Sequence, residues 1–141
     1  MALHIIKLSV GSDSVEDLAD WQAGRLKQLK KAGKPPRLMH VTRMTPKRRD
    51  EVLDGGSIYW VIKGFTCVRQ RILDLVPATK EGIAGCGIVY DPEIVQVARR
   101  PQRAFQGWRY LKPEAAPPDL AAIGFDAPPE LQQKLAELGL L

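Results

Sequence analysis

Residues 57–76 read SIYWVIKGFTCVRQRILDLV, and this stretch carries the strongest fold signal in the chain. Two runs rich in β-branched and aromatic residues, 57–63 and 67–76, are joined by Gly64, Phe65 and Thr66. Such runs on either side of a short connection containing glycine are typical of an antiparallel β-hairpin. The sequence therefore predicts a hairpin at the centre of a mainly antiparallel sheet.

Further strands are predicted on both sides of the hairpin. Residues 3–10 form a short apolar run, although Lys7 interrupts it, and residues 37–44 alternate in hydrophobicity. Residues 86–97 supply one or two strands after the hairpin, and Pro92 marks a bulge, an edge or a break there.

Three helices are predicted, two before the hairpin and one at the C-terminus. The first helix is capped by Ser14 and ends at Gly33, the second spans 46–54, and the last begins near Pro129. The apolar stripe of the first helix consists of Leu18, Trp21, Leu26 and Leu29. The order β-α-β-α-β-β-β followed by a helix predicts an α+β fold, whose sheet curls or closes into a small barrel.

Length and composition indicate one domain over residues 1–141. No apolar run is long enough to cross a bilayer, and the N-terminal segment lacks the features of an export signal. Two cysteines are too few for a disulfide framework. We therefore expect a cytoplasmic protein that does not associate with membranes.

Positive charge is concentrated in two parts of the chain. The formal net charge is +5, and residues 21–49 contain ten Lys and Arg without any acid. Residues 99–113 add Arg and Lys among aromatic residues, whereas both ends of the chain are acidic. This uneven distribution predicts a polyanionic partner.

The candidate anion-binding residues lie in three segments. They are Arg43, Lys47 and Arg48; Arg69 and Arg71; and Arg103, Trp108 and Arg109. Arginine pairs bidentately with phosphate, and aromatic rings stack on unpaired bases. For each segment a structural explanation also applies, since the charges can serve solubility or pair with acids, and the rings of 99–113 can anchor that connection to the core.

Tyr59 and Trp60 are adjacent on a predicted strand and therefore face opposite sides of the sheet. One ring is expected in the core, while the other lines a pocket. Arg69 and Arg71 are two residues apart and share a face, where they either pair with acids or bind an anion.

Catalytic signals are weak. His40 as a general base, with Arg43 and Lys47 holding a phosphate, is the best arrangement for a nuclease or an enzyme acting on a modified base. A half-buried strand histidine bonded to the backbone is the structural alternative. The two histidines and two cysteines lack the spacing of zinc ligands, so we predict neither a metal nor a cofactor.

The phrases HVTRMTPKR, GGSIYWVIKG and FQGWRYLKP, at 40–48, 55–64 and 105–113, resemble an uncharacterised alphaproteobacterial family, domain of unknown function 1489. This resemblance covers the whole chain and implies no activity. A second, weaker resemblance covers about residues 40–76. There, a short helix, a glycine, a strand ending in glycine and a strand carrying arginine are similar to PUA-like barrels, whose ASCH relatives imply binding of RNA or modified bases.

These observations together predict a small basic domain that binds nucleic acid, with RNA preferred over DNA. The alternative is the nucleic-acid-processing enzyme that uses His40. A third possibility is a protein-interaction adaptor, in which the C-terminal helix presents Leu131, Leu135 and Leu138 to a protein partner.

Overall fold

The structure is a computed structural model that describes residues 2–123. Seven strands and two α-helices occupy this part of the chain. In order they are β1 (His4–Leu8), α1 (Val15–Lys31), β2 (Leu38–Thr42), α2 (Arg49–Leu53), β3 (Ser57–Ile62), β4 (Phe65–Lys80), β5 (Ile83–Tyr90), β6 (Val95–Pro101) and β7 (Trp108–Leu111), and they are followed by two short 3-10 helices, Pro113–Ala115 and Ala121–Ile123.

The long strand β4 organises the sheet. Its first half pairs with β3 in the predicted hairpin, and the turn is formed by Lys63 and Gly64, which both have positive φ. The opposite edge of β4 pairs first with β6 and then, in its second half, with β5. Strands β5 and β6 therefore follow one edge of β4, with the break near Pro92 that the sequence predicts.

The remaining strands extend the sheet on both sides. The order is β2-β5-β4-β3-β1-β7, with β6 beside β4, and the β1–β3 pair is parallel. The sheet is curled but not closed. The two outer strands are β2 and β7. They approach each other where the Trp108 indole of β7 donates from Nε1 to the carbonyl of Met44, just after β2 (2.8 Å). The predicted α+β class with a curled, mainly antiparallel sheet is confirmed.

Apolar residues pack on both faces of the sheet. The larger cluster is centred on Ile58, Trp60 and Val68, and α1 contributes Leu18 to it. A smaller cluster around Tyr59 occupies the other face. Tyr59 and Trp60 thus point to opposite faces as predicted, and both rings are buried.

The two helices differ from the prediction in detail. Ser14 caps α1 as expected, since its hydroxyl accepts a hydrogen bond from the Asp17 N–H (3.1 Å). The predicted position of Trp21 is wrong: its side chain is 58% exposed, and Gln22 is buried in its place. Helix α2 begins at Arg49 rather than Pro46. The predicted C-terminal helix, and with it Leu131, Leu135 and Leu138, lies outside the described residues.

Candidate functional site

The arginines predicted on β4 have different surroundings. The Arg69 guanidinium forms a bidentate ion pair with Asp119 (2.8 and 2.7 Å), and it also donates to the Ser57 hydroxyl (3.1 Å). This contact raises the pKa of Arg69 and lowers that of Asp119. Arg71 is exposed and lines a shallow depression with the acids Asp91 and Glu93. The nearby carboxylates of Asp91, Glu93 and Asp119 reduce the attraction of the two arginines for an anion.

The cations of the β2–α2 loop are exposed, and two of them are close to acids. Arg48 pairs with Glu51 of α2, with one N···O distance of 2.7 Å, and Arg43 lies 3.6 Å from Glu81. The side chain of Lys47 forms no hydrogen bond or ion pair within residues 2–123. The loop therefore presents less free charge than its sequence indicates.

The segment 99–113 divides between the two faces of the sheet. Trp108 is buried, whereas the neighbouring Arg109 lies on the other face with its guanidinium 4.7 Å from the centre of the Phe105 ring. Arg103 is exposed, and Arg99 is buried and donates to the Cys67 carbonyl (2.7 Å). Trp108 thus points inward and Arg103 and Arg109 are exposed, as expected, whereas the charge of Arg99 is buried.

A cavity of about 590 Å³ lies on the α1 side of the sheet, where the ends of several strands meet. Strand β1 and the loop after it form one wall, and α1 forms another. The side chains that give the cavity its chemistry are Lys7, Trp21, His40, Trp60, Lys80 and Tyr90. Of these, only His40 belongs to the set of predicted site residues, and Arg43 and Lys47 do not line the cavity.

Lys7 and Lys80 give the cavity positive charge. Neither side chain forms an ion pair or a hydrogen bond within the described residues. Burial, and then the charge of Lys80, lower the pKa of Lys7. Asp17 also lines the cavity, but its carboxylate accepts a hydrogen bond from the backbone N–H of Asp13 (3.1 Å). The lysine charges therefore remain available to an anion.

His40 is uncharged at neutral pH. Burial is the main cause, and the charges of Lys7 and Lys80 add to it, so that the pKa of His40 falls to about 4. Its Nε2 atom is buried and has no hydrogen-bond partner in the structure. A buried polar atom without a partner is unfavourable in the folded state.

The aromatic wall of the cavity is held in place by a buried hydrogen-bond network. The Trp60 indole donates from Nε1 to the side-chain oxygen of Gln70 (2.9 Å). Gln70 also exchanges two hydrogen bonds with Gln22 of α1 (2.9 and 2.7 Å) and donates to the carbonyl of Asp91 (3.0 Å). Every polar atom of the Gln70 side chain is thereby engaged, and the orientation of Trp60 is fixed.

The rings near His40 meet edge to face. The His40 and Tyr90 rings lie 5.7 Å and 5.9 Å from the Trp60 ring, at interplanar angles of 88° and 71°. Trp21 stands at the rim and is largely exposed. The cavity thus combines free ammonium groups with aromatic side chains, of which Trp21 is the most exposed while Trp60 and Tyr90 are buried. This combination suits a flat ligand that carries negative charge.

Sequence reasoning missed most of this site. Lys7 had a visible signal, since it is the charged residue in an apolar strand, but nothing in the sequence shows that Lys80 lies near it. Lys80 is the last residue of β4, and Tyr90 is the last residue of β5. Only the three-dimensional arrangement of β1, β4 and β5 brings these residues to one cavity.

The two cysteines belong to the packed interior and do not line the cavity. Cys67 and Cys86 are free and buried, and burial raises the pKa of both thiols. Across residues 2–123 no three His, Cys, Asp or Glu side chains are grouped to hold a metal ion. In the same part of the chain no helix is long and apolar enough to cross a membrane.

The described residues form an α+β fold with a curled sheet and a cavity lined by aromatic and lysine side chains. The sequence model of the family described as "Protein of unknown function (DUF1489)" matches residues 5–141, so the chain belongs to that family. No curated protein and no solved structure matches the chain. The resemblance to this family is confirmed, while that to PUA-like barrels stays a prediction.

Proposed function

We propose that this protein is a cytoplasmic nucleic-acid-binding domain that prefers RNA and takes one unpaired nucleotide into the cavity. The base lies against the exposed ring of Trp21 at the rim, and a phosphate lies near Lys7 and Lys80. The main observation that supports this proposal is that unpaired lysines and aromatic side chains line the same cavity. RNA is preferred because proteins recognise it chiefly through unpaired bases in loops and ends.

Binding without catalysis is favoured over the enzyme alternative. The predicted nuclease arrangement places Arg43 and Lys47 beside His40 to hold the reacting phosphate. Arg43 and Lys47 lie outside the cavity, and an imidazole with a pKa of about 4 is a weak base at neutral pH. His40 therefore belongs in this proposal to the wall of the cavity and is not a catalytic base.

The adaptor alternative depends on the leucines of residues 124–141, which lie outside the described residues. The cytoplasmic location is supported by the two free, buried cysteines, which suit a reducing compartment.

The proposal is tested by fluorescence anisotropy with labelled single- and double-stranded RNA and DNA over a range of salt concentrations. Single-stranded RNA is expected to bind most tightly. In the variant Lys7→Gln/Lys80→Gln the affinity should fall, and the slope of log K against log[salt] should decrease by about 0.7, since the one lost phosphate contact removes about 0.7 for a single strand.

The matched control is Lys63→Gln/Lys112→Gln, which removes the same charge at exposed positions outside the cavity. Its affinity should stay within about twofold of the wild type at moderate salt, because charges at a distance are screened. Absence of binding to all four nucleic acids, or an equal loss in the control variant, would contradict the proposal.

A further inference from the structure

A second depression adjoins the cavity between α1 and β2. Its volume is about 460 Å³ and its lining includes Arg25, Leu29, Lys34, Arg37, Met39 and Val41. Met39 lines both the depression and the cavity, so the two adjoin at this side chain. We refer to the depression as the α1–β2 groove.

The cations of the α1–β2 groove are free, unlike Arg43, Arg48 and Arg69 among the predicted arginines. Arg25, Lys34 and Arg37 are exposed, and their side chains form no ion pair or hydrogen bond within residues 2–123. They belong to the stretch 21–49, which contains no acid. The groove is therefore the part of that stretch where positive charge and a concave surface coincide.

The chain that carries these cations is held in a defined conformation. Helix α1 ends at Lys31, and Gly33, with a φ of +69°, turns the chain away. Pro35 and Pro36 then restrict the backbone, and the Arg37 N–H donates to the Pro35 carbonyl (2.9 Å). Lys34 and Arg37 thus stand at the two ends of a short, stiff connection.

Met39 is held as a low apolar ridge between the groove and the cavity. Its side chain packs over Gly87 of β5, where a Cβ atom would come within 2.4 Å of the Met39 sulfur. Met39 is still 39% exposed. A ligand in the cavity can continue over this ridge into the groove, because an exposed thioether presents an apolar contact and no charge.

We propose that the α1–β2 groove binds the RNA strand next to the nucleotide in the cavity. The strand passes over Met39, and its phosphates contact Arg25, Lys34 and Arg37. Charge complementarity and the shared Met39 side chain support this path. The inference rests on the proposed function and adds the direction in which the strand leaves the cavity.

The test compares two ligands, adenosine 5′-monophosphate and a labelled ten-nucleotide single-stranded RNA, on the full chain. The groove variant is Arg25→Gln/Lys34→Gln/Arg37→Gln. It should bind the RNA at least tenfold more weakly at 0.1 M salt, with the salt slope smaller by about 2 for three lost phosphate contacts. Its affinity for the mononucleotide should stay within about twofold, because that ligand fills only the cavity.

The matched control is Lys27→Gln/Lys30→Gln/Lys31→Gln. It removes the same charge from exposed positions of α1 that line neither the groove nor the cavity. We expect less than a threefold change in RNA affinity. An equal loss in both triple variants, or a loss in neither, would overturn the groove proposal.

The two proposals fail in different ways. If the wild type binds the RNA through the groove cations but does not bind the mononucleotide, the groove stands and the cavity proposal fails. If the mononucleotide binds and the groove variant retains full RNA affinity, the cavity stands and the groove proposal fails. Absence of binding to both ligands overturns both.

Discussion

His40 occupies an unusual position for a histidine in a small basic domain. It is largely buried, two free lysines lie near it, and its Nε2 atom has no partner. The surrounding charges make protonation unfavourable in the folded state, whereas an unfolded chain exposes the imidazole to water. The residue therefore links stability to pH.

Stability should fall as the pH is lowered from about 6.5 to about 4. The folded-state pKa of His40, about 4, lies below its unfolded value of 6.5, so the unfolded chain binds the proton first in this window. The difference amounts to at most about 3 kcal/mol, because one pKa unit corresponds to about 1.4 kcal/mol. Urea unfolding measured at several pH values would show this loss.

The variant His40→Gln should remove most of that dependence. His4 is the control, because its pKa is also lowered, mainly by burial, so that His4→Gln should leave the His40 contribution in place. An unchanged pH dependence in His40→Gln would contradict the assignment.

At this scale, burial was predictable for some residues and not for others. Trp108 is buried as the segment 99–113 predicts, because a tryptophan in a connection tends to anchor it. Gln22 is buried instead of the expected Trp21, since Gln22 hydrogen-bonds to Gln70, 48 residues away. A helical pattern of apolar residues carries no information about such a distant partner.

Between elements, an ion pair joins β4 to the segment after β7. Arg69 and Asp119 are half-buried, with side chains 26% and 29% exposed. The backbone of Asp119 also pairs with Val97 of β6. The ion pair thus joins the end of the described chain to the centre of the sheet.

Replacing Asp119 with Asn should destabilise the protein by about 1–2 kcal/mol, because a bidentate, partly buried pair loses its charge and the Arg69 guanidinium keeps a weaker partner. The exposed pair of Arg43 and Glu81 is the control, and Glu81→Gln should change stability by less than about 0.5 kcal/mol. Urea unfolding of both variants at pH 7 measures the difference, and equal effects would contradict the role of Asp119.

Local patterns predicted the elements better than their partners. The β3–β4 hairpin and the cap of α1 follow from neighbouring residues, and both are present. The parallel pairing of β1 with β3 and the position of β7 beside β1 depend on contacts between distant segments. The short helix α2 begins late because its first turn is fixed by contacts with β7, where the Arg48 N–H donates to the Tyr110 hydroxyl (3.1 Å).

Across the whole molecule, net charge gives little information about where an anion binds. Of the predicted cations, Arg43, Arg48 and Arg69 are paired with acids. The sequence alone does not show which of the other cations lie beside a cavity. The partner of Arg69 is 50 residues away, and Lys7 and Lys80 meet only in the folded chain. The predicted chemistry, cations beside aromatic rings, is present at the cavity, but with other residues.

The central claim is that a nucleotide enters the cavity and reaches His40. The chain contains two histidines, and they lie on opposite faces of the sheet, with His4 against Tyr59 and His40 against Trp60. His4 is therefore an internal control for any ligand that binds on the α1 side.

The most direct measurement is nitrogen NMR of the two imidazoles during addition of the ten-nucleotide single-stranded RNA. We predict that the Nε2 resonance of His40 shifts and that its pKa rises from about 4, because phosphate near Lys7 and Lys80 offsets their charge, while His4 stays unchanged. If the RNA binds and the resonances of His40 do not move, the nucleotide lies elsewhere and the account is wrong.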